Sequence, residues 1–139
     1  MNHARLITFF ETLDEKVSLD DFQSIYAHGV HFKNPFYAIH DVSALYHFFQ
    51  DLYQKVDSPE IVISESVSEG EIIYLKWTLH FSFRDREEAQ NIEGVSRIVF
   101  DTRGKIREHT DFWDAAENIY ETLPLLGTVM RWVKKKIKS

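Results

Sequence analysis

The chain has 139 residues, no cysteine and a formal net charge of -6. That length suits one domain, and the lack of cysteine removes disulfides, thiolate nucleophiles and cysteine metal cages. The negative balance argues against broad attraction to nucleic acid, so no nucleic-acid partner is expected.

Leu6, Phe9, Phe10 and Leu13 follow the spacing that gathers side chains on one helical face, which predicts a first helix. Ser18, with Asp21 three residues on, forms a capping box for a second helix. Leu19, Phe22, Ile25 and Tyr26 give its apolar stripe, and it stops near Gly29. Asn34-Pro35 inside the segment His31 to Tyr37 predicts a short edge strand or bend, because proline removes a ladder donor. Asp41 caps a third helix carrying Leu45, Phe48, Phe49 and Leu52, with Pro59 as its exit.

From Ile61 the period changes to two, which predicts four strands: Ile61 to Val67, Ile72 to Phe83, Ile92 to Phe100 and Ile106 to Phe112. Ser68-Glu69-Gly70 and Asp101-Thr102-Arg103-Gly104 are turn sequences, so neighbouring strands should be antiparallel. The remaining loop is Arg84 to Gln90. Asp114 and Glu117 open a final helix that Leu123-Pro124 interrupts and Leu125 to Lys138 resumes. These elements give an α+β fold, with 1–139 as a single domain. The first residues lack a signal peptide's apolar run, and no stretch approaches a membrane span, so a cytoplasmic protein is expected.

The order of elements and three strings resemble the NTF2-like superfamily, which includes ketosteroid isomerases, limonene epoxide hydrolase and SnoaL-like polyketide cyclases. The strings are Asn34-Pro35-Phe36, Phe100 to Ile106, and His109-Thr110-Asp111-Phe112-Trp113-Asp114. The resemblance covers nearly the whole chain. It implies a cystatin-like cone: a curved, mostly antiparallel sheet packed on three N-terminal helices, with a C-terminal helix and an apolar small-molecule pocket.

Function varies widely on this fold, so the site residues decide. Ketosteroid isomerases need a carboxylate base and a tyrosine with a protonated carboxylic acid as oxyanion donors. The matching positions here are Asn34, Phe9 and Ser96. Asn34 cannot act as a general base and Phe9 cannot donate a hydrogen bond, so the resemblance excludes that activity. Cyclases and epoxide hydrolases of the superfamily use an aspartate on the last strand, where Asp111 stands. The epoxide hydrolases add an Arg and an Asp on a neighbouring strand, and Lys76 and Thr78 replace them here.

Alternation groups His109, Asp111 and Trp113 on one strand face, and Tyr74, Lys76, Thr78 and His80 on another. The resemblance turns both polar sets into the pocket. Asp111, His109 and Lys76 are then catalytic candidates, and Phe9, Asn34, Tyr74, Thr78, His80, Ser96 and Trp113 line the ligand. Structural readings stand beside these: Asp111 bonded within a polar wall, Phe9 and Trp113 as packing, Asn34 as a turn former. The opposite stripe, Leu75, Trp77, Leu79 and Phe81, would face outward and be covered by a homodimer through the outer sheet face.

His28 and His31 form a His-x-x-His pair, but Gly29 breaks the helix that would align them, so no metal and no cofactor is expected. Arg131 and four lysines in the tail permit weak contact with an anionic membrane surface or an ordinary closing helix. Three functions remain open: an acid/base cyclase, isomerase or hydrolase on an apolar small molecule, a non-catalytic binder of a lipid-like ligand, and a dimeric interaction domain.

Overall fold

The computed structural model describes residues 3–84 and 88–114. The expected C-terminal helix and its basic face lie outside the described residues. Chain order gives α1 (His3–Glu11), α2 (Leu19–Ile25), β1 (Tyr26–Lys33), β2 (Ala38–Ile39), α3 (Val42–Lys55), β3 (Val56–Glu69), β4 (Ile72–Phe83), β5 (Ala89–Phe100) and β6 (Ile106–Trp113). The strands form one mixed, curved sheet in the order β2-β1-β6-β5-β4-β3. Among the described residues only the β1/β6 contact is parallel, and the other four pairings are antiparallel.

Local chemistry explains the element ends. Asp21 N–H donates to Ser18 Oγ at 3.1 Å, and Ser18 N–H donates to Asp21 Oδ2 at 3.0 Å, closing the capping box of α2. These bonds, led by the Ser18 amide, hold the Asp21 carboxyl below its ordinary range. Asp41 Oδ1 accepts from Ala44 N–H at 2.7 Å and starts α3. The β5–β6 turn is held by Asp101, whose Oδ1 accepts from the amides of Arg103 and Lys105, both at 2.9 Å. Gly104 completes that turn at φ 80°, a left-handed value open to glycine.

Several element ends differ from the sequence expectation: α3 ends at Lys55, β5 begins at Ala89 rather than Ile92, and two others have a clear physical reason. Helix α2 stops at Ile25 and β1 begins at Tyr26, because Tyr26, Val30 and Phe32 bury along a strand beside β6. Strand β3 starts at Val56 and runs through Pro59, the residue expected to mark the exit of the third helix. Proline is tolerated there because β3 is an edge strand and its register shifts between Asp57 and Glu60.

The main core lies between the three helices and the inner sheet face. It joins Leu6, Phe10, Phe22 and Leu45 to Phe32, Ile73, Leu75, Ile98 and Ile106. A second cluster, Val56, Phe81 and Ile92, is flanked by half-buried Leu52, Trp77, Leu79 and Trp113. No helix among the described residues is long and apolar enough to cross a membrane.

Candidate functional site

Strand register places the candidate residues in rows across the sheet. Ile73 pairs with Ile98, which pairs with His109; Leu75, Ser96 and Asp111 form the next row; Trp77, Gly94 and Trp113 form the third. Ile73, Leu75, Ile98 and His109 are buried, so these rows face inward. Asp111 therefore sits between the main core and the half-buried aromatic cluster.

A continuous hydrogen-bonded chain crosses these rows. Trp77 Nε1–H donates to Ser96 Oγ at 2.8 Å, and Ser96 donates to Asp111 Oδ1 at 2.5 Å. His109 Nε2 lies 2.7 Å from the same Oδ1, and His109 Nδ1 lies 2.8 Å from the Tyr26 hydroxyl. Burial, followed by the charge of Asp111, pushes the Tyr26 hydroxyl well above its ordinary range, so it stays protonated and can donate. Tyr26 donating to Nδ1 leaves the proton on Nε2, which donates to Asp111. The ring of His109 is fixed further by Phe10 and Phe32, at centroid distances of 5.6 and 5.0 Å.

Asp111 thus receives two donors on one oxygen. Among the described residues none bonds its Oδ2. The Asp111 side chain keeps 18% exposure, against 4% for His109. A carboxylate held by two donors on one oxygen can accept or return a proton on the other without leaving its place.

Gly94 makes room for the tryptophan in this chain. A Cβ there would come within 2.4 Å of Trp77 and 2.9 Å of the Phe112 carbonyl oxygen. Without it the indole lies over β5 and its N–H reaches Ser96.

The face assignment of β4 is reversed from the sequence expectation. Tyr74, Lys76, Thr78 and His80 lie on the outer face, paired with Arg97, Val95, Glu93 and Asn91. Lys76 meets Glu65 at 3.8 Å, and His80 Nδ1 bonds Asn91 Oδ1 at 2.5 Å. The stripe Leu75, Trp77, Leu79 and Phe81 points inward, because burying apolar surface against the helices outweighs supplying polar groups to a pocket. The dimer expectation thereby loses the stripe that motivated it. Val67, Tyr74 and Phe112 remain exposed on the outer face at 68, 44 and 56%.

Of the other named residues, Ser96 and Trp113 share the inner face with Asp111. Phe9 packs edge-on against Phe10, Phe22 and Tyr26. Asn34 Oδ1 accepts from the amides of Phe36 and Tyr37 at 2.9 and 2.7 Å, which fixes the turn before β2. That turn sets Phe36 against Trp113, with ring centroids 5.5 Å apart.

Sequence reasoning missed Tyr26 and Trp77. Tyr26 fits the helical stripe of α2 by spacing, yet Tyr26, Val30 and Phe32 also share strand parity. Trp77 carried no such signal, since its partner Ser96 becomes its neighbour only through the β4/β5 register. Two surface hollows, of about 730 and 560 Å³, lie at the β3–β4 hairpin end and between α1 and α2, and neither is lined by Asp111.

The SnoaL-like domain family matches residues 6–109. No curated protein matches the sequence. Among solved structures, an NTF2-like protein of unknown function from Exiguobacterium sp. 255-15 is similar, with TM-score 0.68 and 17% identity over 81% of this chain and 97% of the other. A candidate SnoaL-like polyketide cyclase from Jannaschia sp. CCS1 gives TM-score 0.70 and 15% identity over 83% and 85%. An M. tuberculosis LEH-like epoxide hydrolase gives TM-score 0.68 and 15% identity over 95% and 92%. These likenesses concern the fold, whereas the family match spans most of the sequence: the chain belongs to the SnoaL-like domain family.

Proposed function

We propose that this protein is an acid/base enzyme acting on a small apolar molecule, with Asp111 as the proton-transferring group. The reading rests on one observation: both donors to Asp111 fall on Oδ1, while the carboxylate keeps partial exposure beside Trp77 and Trp113. In this role Oδ2 takes a proton from an activated C–H or from water and returns it to the product. Ser96 and His109 hold the carboxylate, and Tyr26 holds the histidine tautomer. Cyclisation, isomerisation and hydrolysis all need such a step, and the similar cyclase and epoxide hydrolase support that range. Lys76 has no part in it, since it lies on the other face.

The experiment is a panel of apolar ketones, polyketide-like enols and epoxides, followed by mass spectrometry with wild type and Asp111→Asn. Removing a general acid/base should lower kcat about 10²- to 10⁴-fold. Unchanged turnover in Asp111→Asn removes the catalytic reading. Retention of an apolar ligand in native mass spectrometry without turnover would favour the binding module instead. Pairing of two copies through the outer sheet face is part of the proposal only through Val67, Tyr74 and Phe112.

A further inference from the structure

The strands next to the Asn34 turn bring together two histidines that lie nine positions apart. Phe32 faces Ile39 and Lys33 faces Ala38, an antiparallel register whose next pair is His31 and His40. Directly opposed residues have Cβ atoms about 4.5–5.5 Å apart, close enough for two imidazoles to meet. Their ring centroids are 4.9 Å apart, and the two Nδ1 atoms lie at 2.9 Å. One Nδ1–H donates to the bare Nδ1 of the other ring; once the donor ring carries its proton on Nε2 instead, both Nδ1 lone pairs face the gap between the rings.

We propose that His31 and His40 form a two-histidine site for a divalent transition-metal ion such as zinc, clipping β1 to β2. Imidazole nitrogen suits such borderline cations. Tetrahedral zinc with Zn–N bonds of about 2.0–2.1 Å holds two nitrogens about 3.3 Å apart. The rings need to separate by only about half an ångström from their hydrogen-bonded spacing. Both residues are exposed, so a hydrated ion can enter without opening the fold.

The remaining coordination positions belong to water. Glu108 faces His31 across the β1/β6 register, but its Oε2 is shared by Arg97 at 3.9 Å and Arg107 at 3.5 Å. No group of three or more His, Cys, Asp or Glu among the described residues is placed to hold a metal. The site is therefore an open, two-ligand clip rather than a closed structural centre. It differs from the His28/His31 pair, because the partner of His31 comes from across the hairpin. By tying β1 to β2 on either side of the Asn34 turn, the ion would also steady Phe36 against Trp113.

Zinc chloride titrated into the full chain by calorimetry tests this, with His31→Gln, His40→Gln and a His28→Gln control. Wild type and His28→Gln should show one matching site, and each of the other two variants should bind at least about tenfold more weakly. In wild type, the imidazole NMR signals of His31 and His40 should shift first during the titration. Absence of zinc uptake by wild type, uptake by His31→Gln or His40→Gln as tight as that of wild type, or first shifts at other histidines would overturn the proposal. None of these readouts depends on turnover or on Asp111.

Discussion

The two faces of the sheet carry similar chemistry under different conditions. On the outer face, Lys76–Glu65, Arg97–Glu108 and Arg107–Glu108 meet at 3.8, 3.9 and 3.5 Å, with side chains 33 to 68% exposed. On the inner face, His109 and Ser96 reach Asp111 at 2.7 and 2.5 Å, and the His109 side chain is 4% exposed. Water and salt screen the first set, and long side chains lose entropy to hold it. The second set is short, directional and poorly screened, so each partner depends on the others. Two groups one strand position apart, Lys76 and Trp77, thus belong to different energetic regimes.

The largest contrast is expected from His109→Leu, which keeps much of the side-chain volume and removes both hydrogen bonds. It leaves the buried Tyr26 hydroxyl and the Asp111 carboxylate each short of a partner. An orphaned buried polar group costs about 1–3 kcal/mol, so the total loss should be about 2–6 kcal/mol. Urea unfolding measures it. A loss below about 1 kcal/mol would mean that the inner chain is no stronger than an outer ion pair.

A smaller loss, about 1–3 kcal/mol, is expected from Gly94→Ala, by overpacking rather than by lost polar contacts. The added Cβ meets the Trp77 ring at 2.4 Å and a backbone oxygen at 2.9 Å, and only the ring can give way. Adding Trp77→Leu should therefore recover part of the stability in the same urea assay. Failure of that rescue would shift the clash onto the β6 backbone.

How much of this the sequence discloses depends on the kind of information each feature needs. The capping pairs Ser18/Asp21 and Asp41, the Asp101 turn and the period-two strands are local, and all are legible from neighbouring residues. The inner parity of His109, Asp111 and Trp113 is local as well. Which parity of β4 faces inward is not, because Tyr74, Lys76, Thr78 and His80 alternate as cleanly as Leu75, Trp77, Leu79 and Phe81. The helices decide it by covering the apolar set. The partners of Tyr26 and Trp77 are non-local in the same way, lying 83 and 19 positions away and meeting them only in the folded sheet, although the strand parity of Tyr26 itself is local.

The smallest expected effect discriminates most directly between the two assignments of β4. Were Lys76 inside, beside Asp111, Lys76→Met would leave a buried carboxylate without its counter-charge, and breaking such a pair costs about 3–5 kcal/mol. On the outer face the same substitution removes one contact of 3.8 Å between side chains 49 and 68% exposed. An exposed pair of that kind is worth about 0–1 kcal/mol, and the loss should shrink further as salt is raised. Lys76→Met should thus lie within about 0.5 kcal/mol of wild type in urea, and any turnover that depends on Asp111 should be unchanged. A loss of several kcal/mol, or a parallel loss of that turnover, would return Lys76 to the inner face and with it the whole polar stripe of β4.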